Sequence, residues 1–264
     1  MKNEFKEHKI PKVIHYCWFG GSQKPKLAKR CINSWKKYCS DYDIKEWNED
    51  NFDVNYNAYT KWCYENKKYA FLSDYVRLLV VYEHGGIYFD TDVELIRNPD
   101  FLLNDEAFFG FETDGTECFD LSKVQSNSIS TCCYVASGLG FGSVAKGLAL
   151  QIMLKEYEQL LDGKHRVVMC PKLNTSALEK LGLKRNGTFQ KFSWGTVYPK
   201  DYFNPYESTT GNLIKTHNTI SVHWYMGSCL STKQKIRSLI SRPLHRIFGV
   251  DFITKLKVRK NIWN

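Results

Sequence analysis

The chain has 264 residues, 43% of them hydrophobic and 25% charged, which is ordinary for a globular protein and enough to bury a core without disulfide support. No run approaches the roughly 18 consecutive apolar residues of a membrane span, and Met1 to Lys12 is polar, without the apolar centre of a secretion leader. With no leader, the odd count of 9 cysteines predicts free, inert thiols in a reducing compartment. The formal charge of +9 is uneven: from Lys233 to Asn264 nine basic residues face only Asp251, so this tail carries +8 of it.

Ile10 to Gly21 reads as a buried strand closed by a glycine pair. Lys26 to Tyr38 has helical spacing, Tyr42 to Trp47 reads as a second strand, and Asn48 to Asp53 as a polar turn. This βαβ order predicts a parallel sheet. Thr60 to His84 is predicted helical throughout, stopped by Gly85-Gly86. Ile87-Tyr88-Phe89 is then a short strand with Asp90-Thr91-Asp92 at its carboxyl end, where open α/β sheets bind ligands. Further on, strands are predicted over Ala107 to Glu112, Cys132 to Phe141, Phe189 to Pro199 and Ile220 to Tyr225. Asp114 to Ser130 is predicted as a loop near the site, and Lys146 to Leu161 as an amphipathic helix.

The chemistry centres on Asp90-Thr91-Asp92. Residues two apart in an extended segment face the same way, so two carboxylates converge on one hard cation. Mg²⁺ or Mn²⁺ suits such oxygen ligands and shares its shell with substrate phosphates. It would neutralise the charge developing on a leaving nucleoside diphosphate. The bland alternative is a solvated acidic turn. Upstream, Asp74 and Arg77 stand three apart on one helix face. That pair is either a surface ion pair or a charged face toward a polar ligand, with Arg77 suited to phosphate or sugar oxygens and Asp74 to sugar hydroxyls. Ser137-Gly138-Leu139-Gly140-Phe141-Gly142 lacks full phosphate-loop spacing and reads as close backbone packing near a donor sugar.

The opening from Ile10 to Gly21, then Trp47-Asn48-Glu49, then the block from Ser73-Asp74-x-x-Arg77 to Asp92 resemble the Asp-x-Asp sugar-binding glycosyltransferases of family 32, particularly bacterial capsule-type members. The same motifs are similar to the catalytic domains of glucosylating toxins. The likeness is looser at Tyr198 to Phe203 and at Ser221 to Tyr225. It implies an α/β fold of the GT-A type, a Rossmann-like nucleotide-sugar-binding domain with a mixed central sheet, here over residues 1–232 with a basic helical tail over 233–264. It implies a nucleotide-sugar donor, with UDP-sugars favoured, a Mn²⁺ or Mg²⁺ ion, and retention at the anomeric carbon. By position, Trp18 would stack on the base with Phe19 beside it. Ser73, Asp74 and Arg77 would hold the donor and Tyr88 would lie near the nucleotide. Asp90 would contact ribose, sugar or metal, and Asp92 would bind metal. His223 would match a late metal ligand or active-site group, although many members have His-His where this chain has His223-Trp224. Trp18 as plain core and His223 as a satisfied structural histidine stay open.

No residue stands out as a nucleophile, and both prominent carboxylates are committed to metal, which favours front-face displacement over a paired-carboxylate mechanism. Two rival readings are a haloacid-dehalogenase-like phosphatase, which also places Asp-x-Asp after an apolar strand, and a carbohydrate-binding protein with a degenerate site. In the tail, Ile236, Leu239, Ile240 and Leu244 have helical spacing amid Lys and Arg. A basic amphipathic helix suits an anionic membrane surface, and a lipid-linked glycan acceptor would be met there. No nucleic-acid motif accompanies the charge. The expected location is cytoplasmic, peripheral on the inner face of the plasma membrane.

Overall fold

The computed structural model describes residues 8–113, 133–162, 164, 166–227 and 241–247. The chain runs β1 (Val13–Cys17), α1 (Lys26–Tyr38), β2 (Asp43–Trp47), α2 (Ala58–Glu65), α3 (Tyr69–His84), β3 (Gly86–Tyr88) and β4 (Val93–Leu95). It continues with β5 (Ala107–Gly110), β6 (Phe141–Ser143), α4 (Leu148–Glu158), α5 (Cys170–Glu179), β7 (Gln190–Phe192) and β8 (Gly195–Tyr198). The last named elements are α6 (Lys200–Phe203), β9 (Tyr206–Glu207), β10 (Asn212–Leu213) and β11 (Ser221–His223).

A seven-stranded sheet in the order β2-β1-β3-β6-β5-β8-β7 forms the centre. β1 pairs parallel with β2 and with β3, β6 runs against β3 and β5, and β5 pairs parallel with β8. The α/β class with a mixed central sheet, expected from the sequence, is the one observed. β1, β2, β3, β5 and β8 all end at one edge, so the segments after Cys17, Trp47, Tyr88 and Gly110 converge there.

Each face of the sheet has its own core because successive strand residues point to opposite sides. Phe109 packs with α3, α4 and α5 through Leu78, Leu150 and Leu173. Its neighbour Phe108 packs on the other face with Trp35 of α1 and Phe203 of α6. Helix α1 is amphipathic, burying Ala28, Cys31, Ile32, Ser34 and Trp35. Helix α3 turns an almost wholly apolar stretch, Leu78 to Val81, into the interior. The six described cysteines are buried free thiols. Burial, helped by nearby carboxylates, pushes Cys17, Cys31 and Cys39 up to about 12, where they stay protonated and unreactive.

Three elements differ from the sequence expectation. The helix predicted from Thr60 to His84 is two helices, broken where Lys67 takes a left-handed φ of 55°. The break is stabilised locally: Lys67 N–H donates to Tyr64 O and Lys68 N–H to Cys63 O. Of the strand predicted over Cys132 to Phe141, the described residues before β6 form only an isolated bridge, from Val135 to Phe111. A 3₁₀ turn over Ser137–Leu139 follows, and β6 starts at Phe141. The strand predicted over Phe189 to Pro199 is an antiparallel hairpin, β7 and β8. The predicted loop at Asp114 to Ser130 lies outside the described residues, as does most of the tail. Among the described residues no helix is long and apolar enough to cross a membrane.

Candidate active site

The site sits at the strand edge named above. Asp90 and Asp92 follow β3, and His223 ends β11, which pairs antiparallel with β4 just beyond the Asp-x-Asp turn. This short ribbon sets His223 opposite Val93 and brings His223 Nε2 to 3.2 Å from Asp92 Oδ1. The ligand atoms of Asp90, Asp92 and His223 all lie within 4.8 Å of one another. His223 Nδ1 is buried without a hydrogen-bond partner. Asp92 Oδ2 accepts the Met226 backbone N–H at 2.7 Å, and Asp92 O accepts the Trp224 N–H at 2.9 Å.

Behind this triad lies a buried ion network. Arg77, 3% exposed, bonds Asp74 through Nη2 and approaches Asp90 Oδ2 through Nη1 at 3.4 Å. Its Nε donates to Ser73 O at 3.1 Å, and Tyr88 OH donates to Asp90 Oδ1 at 3.0 Å. The expectation that Arg77 faces a ligand is thus modified: in this structure its guanidinium is turned to the two carboxylates. A buried ion cluster of this kind is costly to desolvate and is weak as a stability device, so a functional reason for it is favoured. Gly138, in the turn before β6, lies so close that a Cβ there would sit 2.6 Å from Asp90 Oδ2 and 3.1 Å from Arg77 Nη1. The glycine run is therefore close backbone packing, Gly138 against the Asp90 carboxylate, Gly140 against the Phe89 ring and Gly142 against Phe108.

The electrostatics separate the two aspartates. Burial pushes Asp90 up to about 6; Arg77 pulls against that rise and Asp92 adds to it. For Asp92 burial also acts upward, but the charge and hydrogen bond of His223 and the Met226 amide outweigh it and hold the group low. Burial disfavours the His223 cation, yet the Asp92 carboxylate overcomes this and raises the imidazole above its ordinary value.

At the ends of β1 and β2 lies a cleft of about 530 Å³ lined by Trp18, Lys24, Glu46, Asn48 and Tyr69 among others. Trp18 is half-buried, its indole N–H donating to Ser22 O at 2.6 Å with the Lys24 ammonium 5.6 Å above its ring. Of the two expected aromatics only Trp18 reaches the cleft. Phe19 points the other way, as the next residue of an extended segment must, and is buried in the core 6.0 Å from Phe52. Tyr88 is buried beneath the site rather than lining the cleft.

Several participants carry no sequence signal. Met226 acts through its backbone N–H, which any residue but proline supplies. Tyr225 has a left-handed φ of 49°, stacks edge-on against His223 at 4.2 Å and donates its hydroxyl to Glu112 at 3.4 Å. Glu112 follows β5 at the same sheet edge, with no motif to announce it.

Residues 25–109 match the family model of the glycosyltransferase sugar-binding region containing a DXD motif. That span contains Asp74, Arg77, Asp90 and Asp92, and supports a glycosyltransferase activity over a phosphatase one. No curated protein matches the chain in sequence. Among solved structures it is similar to the PaToxG glycosyltransferase, with TM-score 0.46 and 16% identity over 65% of this chain and 70% of that one. It is also similar to a glycosyltransferase involved in glycosylation of the major capsid of PBCV-1, with TM-score 0.43 and 11% identity over 87% of this chain and 100% of that one. Both scores are too low to carry an inference about this chain's chemistry.

Proposed function

We propose that the enzyme moves a sugar from a nucleotide-sugar donor, with UDP-sugars favoured, onto a glycan acceptor in capsule or related surface-polysaccharide synthesis, with Asp90, Asp92 and His223 holding a divalent cation. The observation that carries this reading is the convergence of two carboxylates and one imidazole within 4.8 Å at the sheet edge where α/β folds bind ligands. The donor set fits the ion: hard oxygens with one nitrogen suit Mn²⁺ better than Ca²⁺, and His223 has a nitrogen to give once it is neutral. A bound Mn²⁺ would supply Lewis-acid neutralisation of the leaving diphosphate.

The remaining work falls to the chain's own groups. Trp18 offers a flat face to the base in the cleft at the ends of β1 and β2. Arg77 holds Asp90 in place and balances its charge, while Asp74 fixes Arg77. With both prominent carboxylates assigned to the metal, retention by front-face displacement is the preferred course. The localisation we propose is peripheral, at an anionic cytoplasmic membrane surface, with residues 233–264 as a basic tail distinct from the catalytic domain. Each of its Lys or Arg residues near such a surface would contribute about 1 kcal/mol.

The test is nucleoside diphosphate release from a panel of nucleotide sugars with Mn²⁺, for wild type and Asp92→Asn. Release from one donor, abolished by chelation and by the substitution, is the expected result. Release that survives both would overturn the metal assignment. NMR of the transferred sugar should show the donor's anomeric configuration; an inverted product would end the front-face proposal.

A further inference from the structure

The ribbon that delivers His223 is unusually slight for what it does. β4 and β11 have three residues each and, among the described residues, pair only with one another, and a two-stranded ribbon is marginal on its own in water. Its register nonetheless decides the site. A slip of one residue would turn His223 to the opposite face. A slip of two would carry it about 7 Å along the strand, beyond reach of Asp92, which it now meets at 3.2 Å.

Something must fix that register, and Trp224 has the contacts to do it. Its backbone N–H extends the ladder to Asp92 O at 2.9 Å. Its indole N–H donates to Glu94 Oε2 at 2.8 Å, the diagonal neighbour across the ribbon. Arg30 of α1 closes the clamp: its guanidinium lies 5.0 Å from the indole ring and its Nη2 is 3.1 Å from the same Glu94 oxygen. Tyr206 of β9 packs against the indole at 5.3 Å. Helix, ribbon and hairpin thus meet at one side chain next to His223.

We propose that Trp224 is a positioning residue for the metal triad, clamping β11 to β4 through Glu94 and Arg30 so that His223 meets Asp92 in ligating register. This rests on the reading of the triad as a metal site.

The test is titration of Mn²⁺ alone, read by electron paramagnetic resonance well below the melting temperature. Trp224→Phe keeps a ring and removes the N–H; Glu94→Ala removes the acceptor. Each is expected to weaken Mn²⁺ binding about tenfold, as loss of a group that orients a ligand does. The double variant should lose little more than either single one, because both changes break the same clamp. Leu103→Ala, a change of a fully buried core residue outside the triad and the clamp, serves as a stability control. Wild-type affinity in the variants, or a loss no greater than in a Leu103→Ala protein of equal melting temperature, would overturn the proposal. A wild type that binds no Mn²⁺, or an Asp92→Asn protein that binds it equally, would instead sink the metal reading beneath it.

Discussion

Gly138 shows how tightly single residues are constrained around Asp90. Its missing side chain is what lets the Ser137–Leu139 turn rest on the Asp90 carboxylate and the Arg77 guanidinium. Gly138→Ala would push a methyl into both. Displacing a substrate-positioning group by about an ångström costs on the order of a hundredfold in rate, and that is the loss expected in donor turnover, with the fold retained by thermal unfolding. Unchanged turnover would show that Asp90 is free to move. At this scale the aspartates and Arg77 were legible, because Asp-x-Asp and the i,i+3 pair are fixed by local geometry. His223 was reached only through resemblance, and Met226 not at all, since a backbone N–H leaves no mark on the side-chain sequence.

Elements were legible where period and punctuation agreed. α1 has the predicted bounds because its apolar stripe is regular. The predicted single helix from Thr60 failed at Lys67, where no glycine or proline announced the left-handed turn; only the packing of α2 back against α3 requires it. α5 was missed because its Pro171 and the polar residues Asn174, Thr175 and Ser176 dilute the stripe, although Asn174 and Thr175 are buried. The basic tail is partly described: residues 241–247 are helical, with Arg242 Nε donating to Ser208 O at 3.0 Å and Arg246 Nη2 to Thr210 O at 3.2 Å. Two of its cations are therefore already engaged with carbonyls of the turn between β9 and β10. The membrane proposal predicts that the full chain co-floats with phosphatidylserine-containing vesicles and that removal of residues 233–264 abolishes this. Vesicle binding that persists in the truncated protein would exclude the tail as the anchor.

The whole molecule should weaken in mild acid, and His15 is one cause. It is buried in β1; its Nε2–H donates to Gly85 O at 2.9 Å and its Nδ1 accepts the Trp47 indole N–H at 3.1 Å. Both ring nitrogens are committed to the neutral form. Burial lowers the group from 6.5 to about 4. The unfolded chain therefore takes up this proton first. The stabilisation is complete above pH 6.5 and is lost as pH falls toward 4, by roughly 3 kcal/mol in all. Urea unfolding between pH 4 and 7 should show a shallower pH slope for His15→Gln than for wild type, even if the variant is weaker at pH 7. Parallel slopes would remove His15 from the explanation.

The ribbon joining β4 to β11 also has a consequence for biosynthesis. Asp92 and the Met226 amide that caps it are 134 residues apart in the chain. At 5–20 residues per second, a nascent chain would expose its aspartates on the order of ten seconds before their partners emerge. Pairing across so long a loop is also late in folding, since the closure entropy must be met first. The cluster of Asp90, Asp92 and His223 is therefore incomplete for most of synthesis, and can close only when the chain through Met226 has left the ribosome.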